Sequence, residues 1–254
     1  MVRKNAFPVL EFDDNRDALI NPVAKSADQM LHGDKLIISF FGEAISSLLE
    51  EGSIERCIII PGENPIDVYR FVGEDVYMIH GMVGCPATGG ALDVLSGMGI
   101  RKVMFCGGGG ALEKGIHVGQ LFVVTGAIRD EGFSYHYVEP SRIIYSQPDV
   151  RKVICDYLES NEIGYTEGLC WTTDCMFRET RDLIQYRREE GAKIVEMEQA
   201  GCIAVAQFRN IKYGAILYGG DDVSKENWDK REEVSRKGVR YALIQICREI
   251  VRIL

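Results

Sequence analysis

Hydrophobic and polar positions follow two patterns along this chain. Short apolar runs bounded by glycine or charge predict strands over 35–40, 57–60, 76–79, 102–106, 120–125 and 212–218. Several are continuous rather than alternating, such as Cys57-Ile58-Ile59-Ile60, which suits strands covered on both faces. Between them, helices are predicted over 87–97, 148–160, 180–190, 198–209 and 232–254. The last places Val239, Ala242, Leu243, Ile246, Ile250 and Ile253 near a 3.6-residue period. A further short strand is expected over 192–195. Alternation of this kind predicts an α/β fold with a central, mostly parallel mixed sheet flanked by helices. Ligands of such sheets gather beyond the C-terminal ends of strands.

Composition narrows the picture. The 254 residues are read as one domain, 1–254, with 46% hydrophobic and 26% charged residues. Net charge is −9, and no block of five or more Lys/Arg occurs, so neither nucleic acid nor an anionic membrane is an expected partner. Net charge leaves a small anion open, because one or two placed arginines suffice. The eight cysteines lack C-x-x-C spacing and lie mostly in apolar runs, as reduced thiols in a reducing compartment would. No signal peptide follows Met1 to Asn5, and no run approaches the ~18 apolar residues of a membrane span, so a cytoplasmic location is expected. No metal site is expected, since His, Cys and Asp do not fall at ligand spacing, and no cofactor is called for.

Three segments after strands carry candidate chemistry. Gly107-Gly108-Gly109-Gly110 reads as a loop whose backbone N–H groups cradle an anion, or as a tight turn without a ligand. Val195-Glu196-Met197-Glu198 places two carboxylates around a methionine where a strand meets a helix. A carboxylate accepts two hydrogen bonds and so fits a cis-diol such as that of ribose, with methionine as a soft apolar surface. The same acids equally suit a helix N-terminus. Gly219-Gly220-Asp221-Asp222 ends a buried strand in acids, placed for proton transfer or for a helix cap. The charged stretch 225–231 beyond it reads as a surface segment or a lid. His136 is a candidate base or a structural histidine. The aromatics of 171–178 either face a planar ligand or belong to the core.

Taken in order, these segments resemble the nucleoside phosphorylase family of the purine/uridine phosphorylase type, which includes nucleosidases. The likeness runs from about Phe7 to the C-terminal helix. It rests on Gly81-Met82-Val83-Gly84-Cys85-Pro86, on Arg101 to Leu112, on Arg129-Asp130-Glu131-Gly132 with His136-Tyr137, on Val195 to Glu198 and on Asp221. The resemblance implies a partly barrel-like sheet, cleavage of an N-glycosidic bond, and a homo-oligomer, dimer or hexamer. It implies that Glu198, with Glu196 beside it, grips the ribose hydroxyls while Met197 lines the sugar. Asp221 would protonate the leaving base, and Phe177 or Trp171 would stack on it. Gly107, Gly108 and Gly109 would border the nucleophile, which is phosphate in the family's phosphorylases.

The phosphate half departs from the family pattern. The family's phosphate arginine and Ser/Thr are here Phe105 and Gly108. The family's N-terminal phosphate segment is matched to Phe12-Asp13-Asp14-Asn15-Arg16, which lacks its glycine and adds acids. Arg16, Arg56 or Arg70 would then have to supply a cation. In a nucleosidase, Glu11, Asp13 or Asp14 would position water. A ligand-binding protein that has lost catalysis is the third expectation.

Overall fold

The computed structural model describes residues 2–23 and 30–254. Ten strands form one sheet: β1 (Lys35–Ser39), β2 (Ile54–Ile60), β3 (Ile66–Phe71), β4 (Val76–His80), β5 (Lys102–Ala111), β6 (Leu121–Asp130), β7 (Ile143–Tyr145), β8 (Tyr165–Thr173), β9 (Ala192–Glu196) and β10 (Lys212–Asp222). Six α-helices flank it among the described residues: α1 (Gly42–Glu50), α2 (Cys85–Gly97), α3 (Pro148–Ser160), α4 (Arg181–Glu189), α5 (Gln199–Arg209) and α6 (Lys237–Ile253).

The sheet is mixed. β4, β1, β5 and β10 run parallel side by side, as do β6, β8 and β9. Antiparallel pairs join β2–β3–β4 at one edge and link β10 to β6, β5 to β9 and β6 to β7. Because β10 pairs with both β5 and β6, the path β10-β6-β8-β9-β5 closes on itself as a ring of five strands.

The continuous apolar runs become two cores, because successive strand residues point to opposite faces. Leu36 and Ile38 of β1 and Phe105 of β5 pack with Leu92 and Leu95 of α2 and Ile203 of α5. Ile37 and Met104 face the other way, against Leu48 of α1, Ile154 of α3 and Leu243 of α6. Leu36, Ile37 and Ile38 are all fully buried. No helix among the described residues is long and apolar enough to cross a membrane.

One expectation is corrected here. Gly107-Gly108-Gly109-Gly110 is not a loop but the second half of β5, paired with β10 and β9. The glycines serve close strand packing. A Cβ at Gly109 would lie 2.2 Å from Ile194 Cγ2 on β9, inside van der Waals contact. Absence of side chains lets β5 carry a neighbour on each edge while its backbone remains open to what lies above.

Candidate functional site

Beyond the C-terminal ends of the parallel strands β1, β5 and β10 lies a cavity of about 790 Å³. Gly108, Gly109 and Gly110 form its floor, with Val195, Glu196 and Met197 beside them. Phe40 and Phe41, where the chain leaves β1, close one wall. The turn Met176–Arg178, Glu179 and helix α4 form a second, and residues 223–228 with the start of α6 form a third. Register explains the convergence: Gly108 pairs with Tyr218, Gly109 with Gly219, and Gly110 with Val195.

Asp221 is in the cavity wall at the end of β10. Its Oδ2 accepts a hydrogen bond of 2.6 Å from the Trp228 indole N–H. Its Oδ1 is 3.5 Å from where a Cβ on Gly110 would stand, so the carboxylate hangs over β5. Asp222 points elsewhere. It is 2% exposed, accepts from Arg231 Nη2 at 2.8 Å and from Ser224 N at 2.9 Å, and its backbone pairs with Asp229. Burial alone would raise its carboxyl, but the Ser224 and Arg231 contacts outweigh that and hold it below the usual range. The two neighbouring acids thus divide: Asp222 ties down the segment 222–231, and Asp221 faces the cavity.

The two glutamates of Val195-Glu196-Met197-Glu198 also divide. Glu196 Oε2 accepts from the backbone N–H groups of Glu198 (2.6 Å) and Gln199 (2.7 Å), and Oε1 accepts from the Thr172 hydroxyl. These contacts satisfy N–H groups at the start of α5 and consume most of its accepting capacity. Glu198 is 7% exposed, and its Oε1 accepts from Gly84 N at 2.8 Å. Gly84 takes φ 98, a left-handed conformation suited to glycine, and so turns its N–H toward Glu198. The Gly81 to Pro86 segment therefore meets Glu198 in space. No other hydrogen bond to Glu198 side-chain oxygens occurs among the described residues, which leaves Oε2 as an acceptor. Glu196 and Met197 form part of the cavity wall, and Glu198 does not. Burial, then the charge of Glu196, raises the Glu198 carboxyl above the usual range.

The other expected residues separate by burial and position. Phe177 is in the cavity wall and 90% exposed. Trp171 is fully buried and donates its indole N–H to Asp130 at 2.9 Å, so it has no face open to a ligand. Gly107 is buried beneath the floor, whereas Gly108 and Gly109 reach the cavity. Arg16 lies 5.0 Å over the Phe208 ring on α5 and not at the cavity. The match of 12–16 to the phosphate segment is therefore corrected: the chain leaving the first strand, Phe40 and Phe41, is what meets the cavity. Arg56 pairs with Asp67 and Arg70 with Glu55 on the β2–β3 hairpin, again away from it. Glu11, Asp13 and Asp14 belong to the same N-terminal stretch as Arg16 and are not in the wall. His136 is exposed on a short turn. Arg129 and Glu131 are buried and structural: both hydrogen-bond Ser134, and Glu131 also takes the N–H of Phe133.

Sequence reasoning missed Glu179, Trp228, Tyr218 and Arg240, all in the cavity wall. Only their nearness to strand ends and to Asp221 could have pointed to them. Burial, then the charge of Asp221, pushes the Glu179 carboxyl up to about 7. The folded chain then holds a proton between the ordinary carboxyl range and about pH 7 that the unfolded chain releases. Stability from this group is present at low pH and is lost as pH rises through that window. Replacing Glu179 by Gln is expected to flatten the fall of Tm between pH 5 and pH 8, with the variant the more stable at pH 8. Parallel Tm curves for parent and variant would contradict this placement.

Known proteins bear on the same residues. The profile of the phosphorylase superfamily matches residues 36–252. A guanosine phosphorylase of Halorubrum lacusprofundi is 25% identical over 224 residues, 77% of this chain and 93% of that protein. A crystal structure of uridine phosphorylase from Vibrio fischeri is similar with a TM-score of 0.73 at 20% identity, covering 87% of this chain and 92% of that one. An AMP nucleosidase from Bacteroides thetaiotaomicron is similar with a TM-score of 0.70 at 22% identity, covering 87% of this chain and 90% of that one. With the family profile spanning nearly every strand and helix that builds the cavity, the chain belongs to the phosphorylase superfamily.

Proposed function

We propose that this protein cleaves the N-glycosidic bond of a nucleoside, with phosphate as the acceptor of the ribosyl group. What supports this reading is that Asp221, Glu196 and Met197 line one cavity with the glycines of β5, with Glu198 two residues beyond Glu196. Met197 lies against the sugar, Oε2 of Glu198 takes ribose hydroxyls, and Phe177 covers the base. As the C1′–N bond breaks, the base leaves with the bonding pair and takes a proton from Asp221. A phosphate oxygen forms the new C1′–O bond. Net, the proton of hydrogen phosphate ends on the base, so Asp221 is restored. Protonating the leaving group at a positioned acid is where the geometry acts on the barrier.

A second reading is hydrolysis, favoured by one specific observation. Phe105, at the place of the family's phosphate arginine, is 1% exposed and packs 5.2 Å from the Phe40 ring. Incubation with uridine, inosine and guanosine, each with and without inorganic phosphate, separates the readings. Base release that requires phosphate supports phosphorolysis. Equal release without phosphate supports hydrolysis. A thermal shift with nucleoside but no release would make the chain a binding protein.

A further inference from the structure

Two groups that hold phosphate in the family's phosphorylases, a strand arginine and a loop hydroxyl, are absent at Phe105 and Gly108. A tyrosine hydroxyl and a guanidinium from other elements stand in the cavity wall instead. Tyr218 of β10 stands across from Gly108, and its hydroxyl oxygen is 3.2 Å from where a Cβ on Gly108 would be. That is the position from which a Ser or Thr side chain would start. Arg240, on the first turn of α6, donates from Nε to the Tyr218 hydroxyl at 2.9 Å. Its guanidinium carbon lies 5.7 Å from the centroid of the Phe41 ring and 5.9 Å from that of Tyr218. Nη1 of Arg240 donates to Glu43 on α1 at 2.8 Å. Nη2 donates to nothing among the described residues. All three aromatic and cationic side chains are in the wall of the cavity that holds Asp221.

We propose that Arg240 and Tyr218 form the anion cradle of this protein, with the guanidinium supplied by α6 and the hydroxyl by β10. This rests on the phosphorolytic reading given above. Tyr218 is 2% exposed but, unlike Trp171, belongs to the cavity wall; its oxygen accepts from Arg240, which leaves its hydrogen to donate to an anion. Arg240 offers Nη2 as a second donor, and the Phe41 and Tyr218 rings lie within cation–π reach of its guanidinium. Glu43 is the resident counter-ion. It neutralises part of the guanidinium charge when no anion is bound and competes with phosphate for it.

Steady-state kinetics with inorganic phosphate as the varied substrate tests the cradle. Arg240→Met is expected to raise the KM for phosphate about 10–100-fold, the range of a lost charge-assisted hydrogen bond, while the KM for nucleoside stays within about threefold. Arg240→Lys restores part of the loss, and Tyr218→Phe gives a smaller rise of the same kind. Glu43→Gln lowers the KM for phosphate, because it removes the competitor. A purely structural Arg240 would lower Tm and move both KM values together, and that result overturns the cradle. So does phosphate-dependent turnover whose phosphate KM is unmoved in Arg240→Met. If the parent instead releases base without phosphate, the phosphorolytic reading fails. The cradle is then judged by the thermal shift that inorganic phosphate gives the parent: a shift lost in Arg240→Met upholds it, and no shift overturns it.

Discussion

Asp221→Asn lowers kcat by about 10²–10⁴-fold, the span usual for loss of a positioned general acid, and leaves the fold intact. The amide has nearly the carboxyl's shape and keeps an oxygen to accept the Trp228 indole N–H, so the 2.6 Å contact and the segment around it survive. It cannot hand over a proton. The departing base must then leave as an anion or draw its proton from water. Asp222→Asn makes the contrast. That acid pairs with Arg231 and Ser224 and faces away from the chemistry, so its loss falls on Tm rather than on kcat at saturation. Measured kcat and Tm for the two variants check the division. An Asp221→Asn enzyme within threefold of the parent would end the proton-donor role.

Glu198→Ala produces the second large effect, and it falls on the sugar. A hydrogen bond to a charged acceptor contributes about 1.5–3 kcal/mol, so losing the ribose contacts raises the nucleoside KM about 10–100-fold. The change also strands the Gly84 N–H, which has lost its 2.8 Å acceptor, and Tm falls with it. Glu198→Gln separates the two, since its amide oxygen still receives Gly84 but carries no charge. The pH dependence follows from the raised carboxyl. Burial and the charge of Glu196 favour the neutral acid in the free protein, whereas ribose hydroxyls favour the anion. Binding therefore releases a proton, and nucleoside affinity strengthens as pH rises. Calorimetry in two buffers of different ionisation enthalpy reads that proton directly. Equal affinity of parent and Glu198→Ala for riboside and for free base would remove the ribose assignment.

The fold was legible where hydrophobic pattern and element coincide. The apolar runs around Ile37, Ile59, Met78, Met104 and Leu217 all became strands, and α3 spans the expected residues 148–160. What escaped was written in a different chemistry. β8 was missed because Tyr165–Thr173 mixes Thr, Glu and Gly and gains its apolar cover only through neighbours on both sides. The glycine run looked like a loop because glycine weakens strands in isolation. Here it is the only residue small enough to fit against Ile194. α1 was missed because only Ala44, Ile45 and Leu48 of its nine residues are buried, with Leu49 half-buried beside them.

The candidate site was legible in halves. Asp221 and Met197 sit at the cavity, as their places at strand ends implied. The paired glutamates look alike in sequence, and only the fold shows that Glu196 binds the start of α5 while Glu198 keeps an oxygen in reserve. Trp171 and Phe177 are six positions apart in one aromatic segment. Strand β8 buries the first in the core, and the turn after it lifts the second to the cavity mouth. The anion side was least legible, because Arg240 lies 132 positions beyond Gly108 in the numbering and no local spacing links them. A loose match of 12–16 to the family's phosphate segment drew attention to Arg16, whereas β-sheet register brought Tyr218 and α6 packing brought Arg240.

Phosphorus NMR of the reaction with nucleoside and inorganic phosphate identifies the acceptor of the ribosyl group. With phosphate as acceptor, the inorganic phosphate signal falls as a sugar 1-phosphate signal grows, in step with free base. Free ribose appearing while the phosphate signal stays constant would contradict it.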